Sequence, residues 1–105
     1  EGQFRQQVFD AAGGQNGASV DLNSCTPRGP GERSLCTVWK DPDFDATRDA
    51  VYYLRVLENP SCRWNQFECN RLPAEARPAA CSDPEVVRTV QERLWTSPIW
   101  YDANS

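Results

Sequence analysis

The residues of this sequence best suited to chemistry are acids and cysteines. Four aspartates crowd into Asp41-Pro-Asp-Phe-Asp-Ala-Thr-Arg-Asp49, at positions 41, 43, 45 and 49. Alternate acids of this kind can ligate calcium. An EF-hand loop starting at Asp41 needs glycine at its sixth position and a bidentate glutamate at its twelfth. Those positions hold Ala46 and Tyr52, and Pro42 and Phe44 suit poorly a backbone that must wrap an ion. The sequence favours an Asp-Pro turn, with Asp45 accepting backbone N–H bonds just before an apolar segment. Asp41, Asp43 and Asp45 are thus expected as turn formers, and no metal site or cofactor is expected in this chain. A second acidic arrangement is the pair Glu58 and Glu92, which could serve a small glycosidase working with carboxylates alone. A chain of 105 residues leaves little room for a cleft around them.

The sequence contains no histidine. That removes the Ser-His-Asp and Cys-His nucleophile systems and the commonest transition-metal ligand. Gly29-Pro-Gly31 lacks both the spacing and the Lys-Ser/Thr of a phosphate-binding loop. The chain is therefore not expected to be an enzyme by itself. Its net charge of -4 argues against nucleic acid or an anionic membrane face as a partner. No apolar run approaches the roughly 20 residues that cross a bilayer; the longest, Ala50-Val-Tyr-Tyr-Leu54, stops at Arg55.

Five cysteines, at 25, 36, 62, 69 and 81, contain no C-x-x-C pair of the kind that holds zinc. Disulfides in an oxidising compartment are the better reading, which places the chain in a periplasm or outside the cell. The segment from Cys25 to Cys36 is rich in turn formers and is expected to close on itself. Cys69 and Cys81 flank a Pro/Ala-rich excursion, Leu72 to Ala80, and are expected to pair. Cys62 is then unpaired or bonded outside the segment. Spacing leaves other pairings open.

Six further residues are candidates for a substrate site or an interface. Arg55 interrupts an apolar strand: it could face an anion with its planar fork, but an ion pair with Glu58 or Glu92 is favoured. Arg63 and Trp64 could form a cation–π ledge, though such a tryptophan more often anchors a core. Glu92 and Arg93 could support a site from behind, but a solvated or ion-paired face is the simpler reading. Trp39, Trp95 and Trp100 are expected in a core.

The elements that must position these residues are short. Phe4, Gln6 and Val8 alternate with Arg5, Gln7 and Phe9, as in a half-buried strand. Gly13-Gly-Gln-Asn-Gly17 reads as a turn, Ala18–Leu22 as a return strand, and Leu35–Trp39 as a short extended piece. Ala46, Ala50, Val51, Leu54 and Leu57 lie at helical spacing. Val51–Leu57 is nevertheless dense in β-branched and aromatic residues, so strand is favoured. Asn59-Pro60 ends it. Trp64, Phe67 and Leu72 suggest a short helix or turn after Cys62. Ser82-Asp-Pro-Glu85 looks like a helix start. Leu94–Tyr101 reads as a last strand, which Pro98 confines to an edge or a bulge. The expected fold is mainly β with short helices, with antiparallel strands, as part of a larger α/β protein.

The blocks Asp41-Pro-Asp-Phe-Asp45, Tyr52-Tyr-Leu-Arg-Val-Leu-Glu58, Arg63-Trp64, Gln91-Glu-Arg93 and Trp95-Thr-Ser-Pro-Ile-Trp-Tyr101 occur in this order and at similar spacing in one bacterial family. The chain resembles the C-terminal end of that large exported family of unknown function. Its members in turn resemble metallohydrolases with a polymerase-and-histidinol-phosphatase (PHP) type barrel. The match is best over residues 36–101, apart from the cysteine-bearing excursion at 69–81. The resemblance implies that residues 1–105 are a single C-terminal segment or subunit. It implies an upstream catalytic domain or companion chain as partner. It also implies metal-dependent hydrolysis of an ester or phosphoester, with a divalent metal held by histidines and acids upstream. The absent initiator methionine, the amphipathic opening Glu1–Asp10 and the odd cysteine fit that picture.

Two expectations of different kinds follow. One is a non-catalytic C-terminal part of an exported PHP-like hydrolase, packing on and shaping the catalytic barrel. The other is a free-standing secreted binding module stabilised by disulfides.

Overall fold

Residues 13–17, Gly-Gly-Gln-Asn-Gly, are types that tolerate left-handed backbone, the glycines because they lack a Cβ. The structure, a computed structural model that describes residues 2–105, turns there, with φ of 81° at Gly13 and 69° at Gly17. Glu1, the first residue of the amphipathic opening, lies outside the described residues. The alternating segment Phe4–Phe9 does not form the expected strand. A strand needs an edge to join, and this segment runs along the molecule on side-chain contacts alone. Arg5 pairs with Asp43 at 3.2 Å, the Gln6 amide donates to the Tyr53 hydroxyl at 3.3 Å, and Phe9 stacks on Trp39 at 5.1 Å. Leu35–Trp39 likewise stays outside any ladder.

The return strand forms with a different partner. Ser19–Val20 (β1) pairs antiparallel with Pro27–Arg28 (β2), not with the opening segment. Local hydrogen bonds explain the choice. The Asp21 carboxylate accepts from the Asn23 and Ser24 N–H groups, the Arg28 guanidinium pairs with it, and Cys25 N–H returns to the Asp21 carbonyl. Gly29 lies so close to Ala18 across the hairpin that a Cβ there would sit 3.1 Å from the Ala18 Cα.

The segment Ala50–Leu57 is extended, as its β-branched and aromatic content requires, and it is half of a long two-stranded ribbon. Ala50–Tyr52 (β3), Arg55–Leu57 (β4) and Ser61–Cys62 (β5) form one side. The helix Trp64–Arg71 (α1) and two 3-10 turns at Ala74–Ala76 and Ala79–Cys81 follow, and α1 ends where Leu72 precedes Pro73. The chain then returns through Thr89–Val90 (β6), Arg93–Trp95 (β7) and Ile99–Tyr101 (β8), so that β5 pairs β6, β4 pairs β7 and β3 pairs β8, all antiparallel.

The register shifts twice and recovers. Between the pairs Tyr52–Ile99 and Arg55–Trp95, Tyr53 and Leu54 face Thr96, Ser97 and Pro98. Between Leu57–Arg93 and Ser61–Val90, Glu58, Asn59 and Pro60 face Gln91 and Glu92. Each strand has one extra residue, and each extra residue comes with a proline. Proline has no N–H to give a ladder, so the bulge is where it belongs. The expected last strand is thereby split at Pro98. The expected helix start at Ser82–Glu85 is a turn instead: Asp83 accepts the Glu85 N–H at 2.9 Å, but Val86 and Val87 follow and Arg88 is drawn to the Arg63 N–H.

Two disulfides clamp the base of the ribbon. Cys69 bonds Cys81, as expected. Cys25 bonds Cys62 and not Cys36, which is free and exposed. The correction has a physical cause. Gln66 and Asn70 of α1 both donate to the Leu22 carbonyl, at 3.0 and 2.9 Å. They draw the 21–26 turn against α1 and leave the Cys25 and Cys62 Cα atoms 5.6 Å apart. Cys62 and Gln66 are the buried residues, each 7% exposed. Trp95 and Trp100, expected in a core, are 56% and 76% exposed, since no second layer within the chain covers the ribbon. The molecule measures 67 × 30 × 19 Å. No helix among the described residues is long and apolar enough to cross a membrane.

Candidate functional site

Three places bring functional groups together. The first is the acidic turn. The Asp41 carboxylate accepts the Asp43 N–H at 2.8 Å, and the Asp45 carboxylate accepts both the N–H and the hydroxyl of Thr47, at 2.9 and 2.7 Å. These are the self-capping turns that aspartate favours. Other oxygens of these acids are also used within the chain: Asp41 accepts the Tyr52 hydroxyl at 2.7 Å, Asp43 pairs with Arg5, and Asp49 accepts the Ala103 N–H at 2.9 Å. The turn reading holds, and its acids serve the β3–β8 end of the ribbon. Beside it, Phe44 meets Tyr101 edge to face at 5.0 Å and Trp39 meets Tyr52 edge to face at 6.2 Å.

The electrostatics follow from these bonds. The Thr47 hydroxyl and N–H hold the Asp45 carboxyl below its ordinary value of 3.8. The Asn23 and Ser24 N–H groups, with Arg28, do the same for Asp21. The bond to the Asp41 carboxylate raises the Tyr52 hydroxyl above its ordinary 10.0. A shallow depression of about 140 Å³ lies over the turn, lined by Arg5, Asp41, Asp43, Asp45, Arg48 and Tyr52 among others. Among the described residues no group of three or more His, Cys, Asp or Glu side chains is placed to hold a metal ion.

The second place is the clamped base. The Gln66 amide nitrogen donates to the Leu22 carbonyl and to Asn70, and its oxygen accepts from Arg88 at 3.0 Å. Arg88 also donates to the carbonyls of Ala80 and Asp83, at 2.8 and 3.2 Å. One buried glutamine thus ties the β1–β2 turn, α1 and the returning strand together, with every polar atom satisfied. Gln66 and Arg88 are not among the residues that the sequence alone singles out. The only local signal was the Gln66–Asn70 spacing of one helical turn. Beside this knot is an apolar cavity of about 320 Å³, walled by Trp64, Leu72, Pro78, Val86 and the Cys69–Cys81 disulfide. Asn65 lines it too, holding the Val87 carbonyl at 3.0 Å; its own Oδ1 is sealed from solvent without a partner.

The third place is the middle of the ribbon, where most of the sequence candidates fall. Arg55 stands opposite Trp95 and Arg93 opposite Leu57. The favoured ion pair of Arg55 with Glu58 or Glu92 does not form: the ion pairs among the described residues are Arg5–Asp43, Arg28–Asp21 and Arg71–Glu68. Strand alternation explains this, because side chains adjacent in sequence take opposite faces. Glu58 and Glu92 meet through their backbones, N–H to carbonyl at 2.9 Å, and neither lines the two depressions described above. Arg63 precedes α1, and its carbonyl accepts from the Gln66 and Phe67 N–H groups. Trp64 is 72% exposed and walls the apolar cavity, so it is no core anchor within this chain.

No curated protein and no solved structure matches the sequence. A family model described as "Protein of unknown function (DUF3604)" matches residues 2–103, nearly the whole chain. The chain belongs to this family of unknown function.

Proposed function

We propose that these residues are a non-catalytic structural part of an exported, PHP-like, metal-dependent hydrolase, packing on its catalytic barrel and shaping it. The observation that carries this reading is the uncovered, elongated shape. The radius of gyration is 20.4 Å, where a compact chain of this length has about 13 Å. The accessible surface is 9262 Å², against roughly 6,000 Å² for a compact protein of 11.9 kDa. An excess of roughly 3,000 Å² is on the scale of permanent interfaces, which bury about 2,000–5,000 Å². Both faces of the ribbon carry large apolar side chains, the pattern of strands covered on both sides. The hydrolase type, a barrel holding a divalent metal and the C-terminal placement come from the family resemblance. The two disulfides are compatible with an oxidising, periplasmic or extracellular compartment.

Hydrogen exchange tests the reading. In the native protein, the amides of residues 50–57 and 93–101 should be protected, and in the isolated 105-residue chain they should exchange freely. Equal protection in the two samples would overturn it. A free-standing secreted binding module is the second reading, favoured by the disulfide-clamped base, which carries its own buried residues and cavity. It predicts an isolated monomer whose melting is sensitive to reduction.

A further inference from the structure

We propose that the ribbon face carrying Arg55, Leu57, Arg93 and Trp95 docks onto an apolar protein surface that supplies carboxylates to both guanidiniums. The inference rests on the reading that further polypeptide covers the ribbon. Register sets Arg55 opposite Trp95 and Leu57 opposite Arg93. Residues two apart on a strand share a face, so all four side chains project on one side. The two arginines occupy a diagonal, where neighbours lie about 7–8 Å apart.

All four residues are exposed, and neither arginine takes part in the ion pairs of the described residues. The nearest acids in sequence, Glu58 and Glu92, meet through their backbones at the bulge, and neither takes part in the ion pairs of the described residues. In water two such guanidiniums are hydrated and screened. Under a covering body they are not, and a buried charge without a partner is strongly destabilising. Whatever covers this face must therefore bring anions. The planar guanidinium fork suits a carboxylate in two-point contact, and arginine and tryptophan are the residues that anchor protein interfaces. The chain as a whole is acidic, at -4, so this face is a local exception that selects an apolar partner surface with carboxylates placed at the two arginines.

Carbodiimide coupling, which joins an amine to a carboxylate touching it, gives the test. Lys40 is the only lysine in the sequence, so background from this chain is low. The full-length protein is prepared as Arg55→Lys and, separately, as Arg93→Lys, coupled, and mapped by mass spectrometry. Each variant keeps its charge. A third sample carries a benzophenone photocrosslinker in place of Trp100, whose register partner is Val51. The expected result is coupling from positions 55 and 93 to Asp or Glu outside residues 1–105. Coupling to Glu58 or Glu92, or none from either position, overturns the proposal. If the Trp100 probe still reaches outside polypeptide, the broader reading survives that failure; if it too reaches nothing, both fall. Coupling between isotopically mixed copies of this chain overturns the proposal in favour of self-association. Protection of both positions by added inorganic phosphate, without any protein crosslink, assigns the face to a small oxyanion and also overturns it.

Discussion

The cysteine-clamped base and the ribbon that leaves it share one antiparallel ladder, yet they are held together differently. At the base, the Cys25–Cys62 and Cys69–Cys81 bonds and the network around Gln66 tie the β1–β2 turn, α1 and β6 to one another. Covalent and polar links stand in for an apolar core, as in small disulfide-rich domains. Along the ribbon the proportions reverse. Val51, Val56, Leu94, Trp95, Ile99 and Trp100 are large, apolar and exposed. A two-stranded ribbon alone is marginally stable in water. Cohesion is internal at one end; at the other, on the function proposed above, it comes from the body that covers the ribbon.

The largest expected effect separates the ends directly. Trp100→Ala should destabilise the intact protein by about 3–5 kcal/mol, the range for a core aromatic. In the isolated chain the same change should stay within about 0.5 kcal/mol, as for a surface residue. Denaturant titration of both reads the difference, and equal losses would break the comparison. Next, the double change Cys25→Ser with Cys62→Ser should lower stability by about 2–5 kcal/mol. Hydrogen exchange should rise in residues 19–28 and 64–71 and leave residues 50–57 alone; a rise along the whole ribbon would make the clamp its support as well. Gln66→Leu should lose about 1–3 kcal/mol in thermal or denaturant unfolding, because the half-buried Arg88 guanidinium and the Leu22 carbonyl then lose their shared partner. An unchanged midpoint would mean that the disulfides alone hold the base.

The smallest effect belongs to the far end and is a matter of pH. The folded-state pKa of Tyr52 is raised above 10.0 by the Asp41 carboxylate. The Tyr52–Asp41 bond therefore supports the fold fully below pH 10, and that support is lost as pH rises through the raised value. Phenolate absorbance in Asp41→Asn should titrate lower than in the parent. Asp45 works in the opposite sense. Its depressed carboxyl contributes above pH 3.8, and the contribution fades as pH falls through the lowered value.

What was legible in the sequence was local. The acidic turn, the extended character of Val51–Leu57, the short helix after Cys62 and the Cys69–Cys81 loop each depend on residues near one another in the chain. Pro98 announced an edge or a bulge and marks a bulge. What was hidden depends on contacts far apart in sequence. The Cys25–Cys62 bond is set by two amides of α1 reaching the Leu22 carbonyl. The unmet charge of Arg55 comes from which face its strand turns. The tryptophans at 95 and 100 have the composition of a core, and composition says nothing about whether the layer over them lies in the same segment. Asp83 did accept a helix-starting N–H bond, but two β-branched residues followed it.

The paired bulges bear on how a ribbon with open apolar faces avoids self-association. A newly made two-stranded element with apolar faces and open edges is a template for strands of other copies. Bulges add local twist and spoil a flat edge, and proline withholds the N–H that an incoming strand would seek. With Pro60 on one strand and Pro98 on the other, both edges carry such an interruption. The ribbon therefore resists fibril-like stacking while its faces and edges are open.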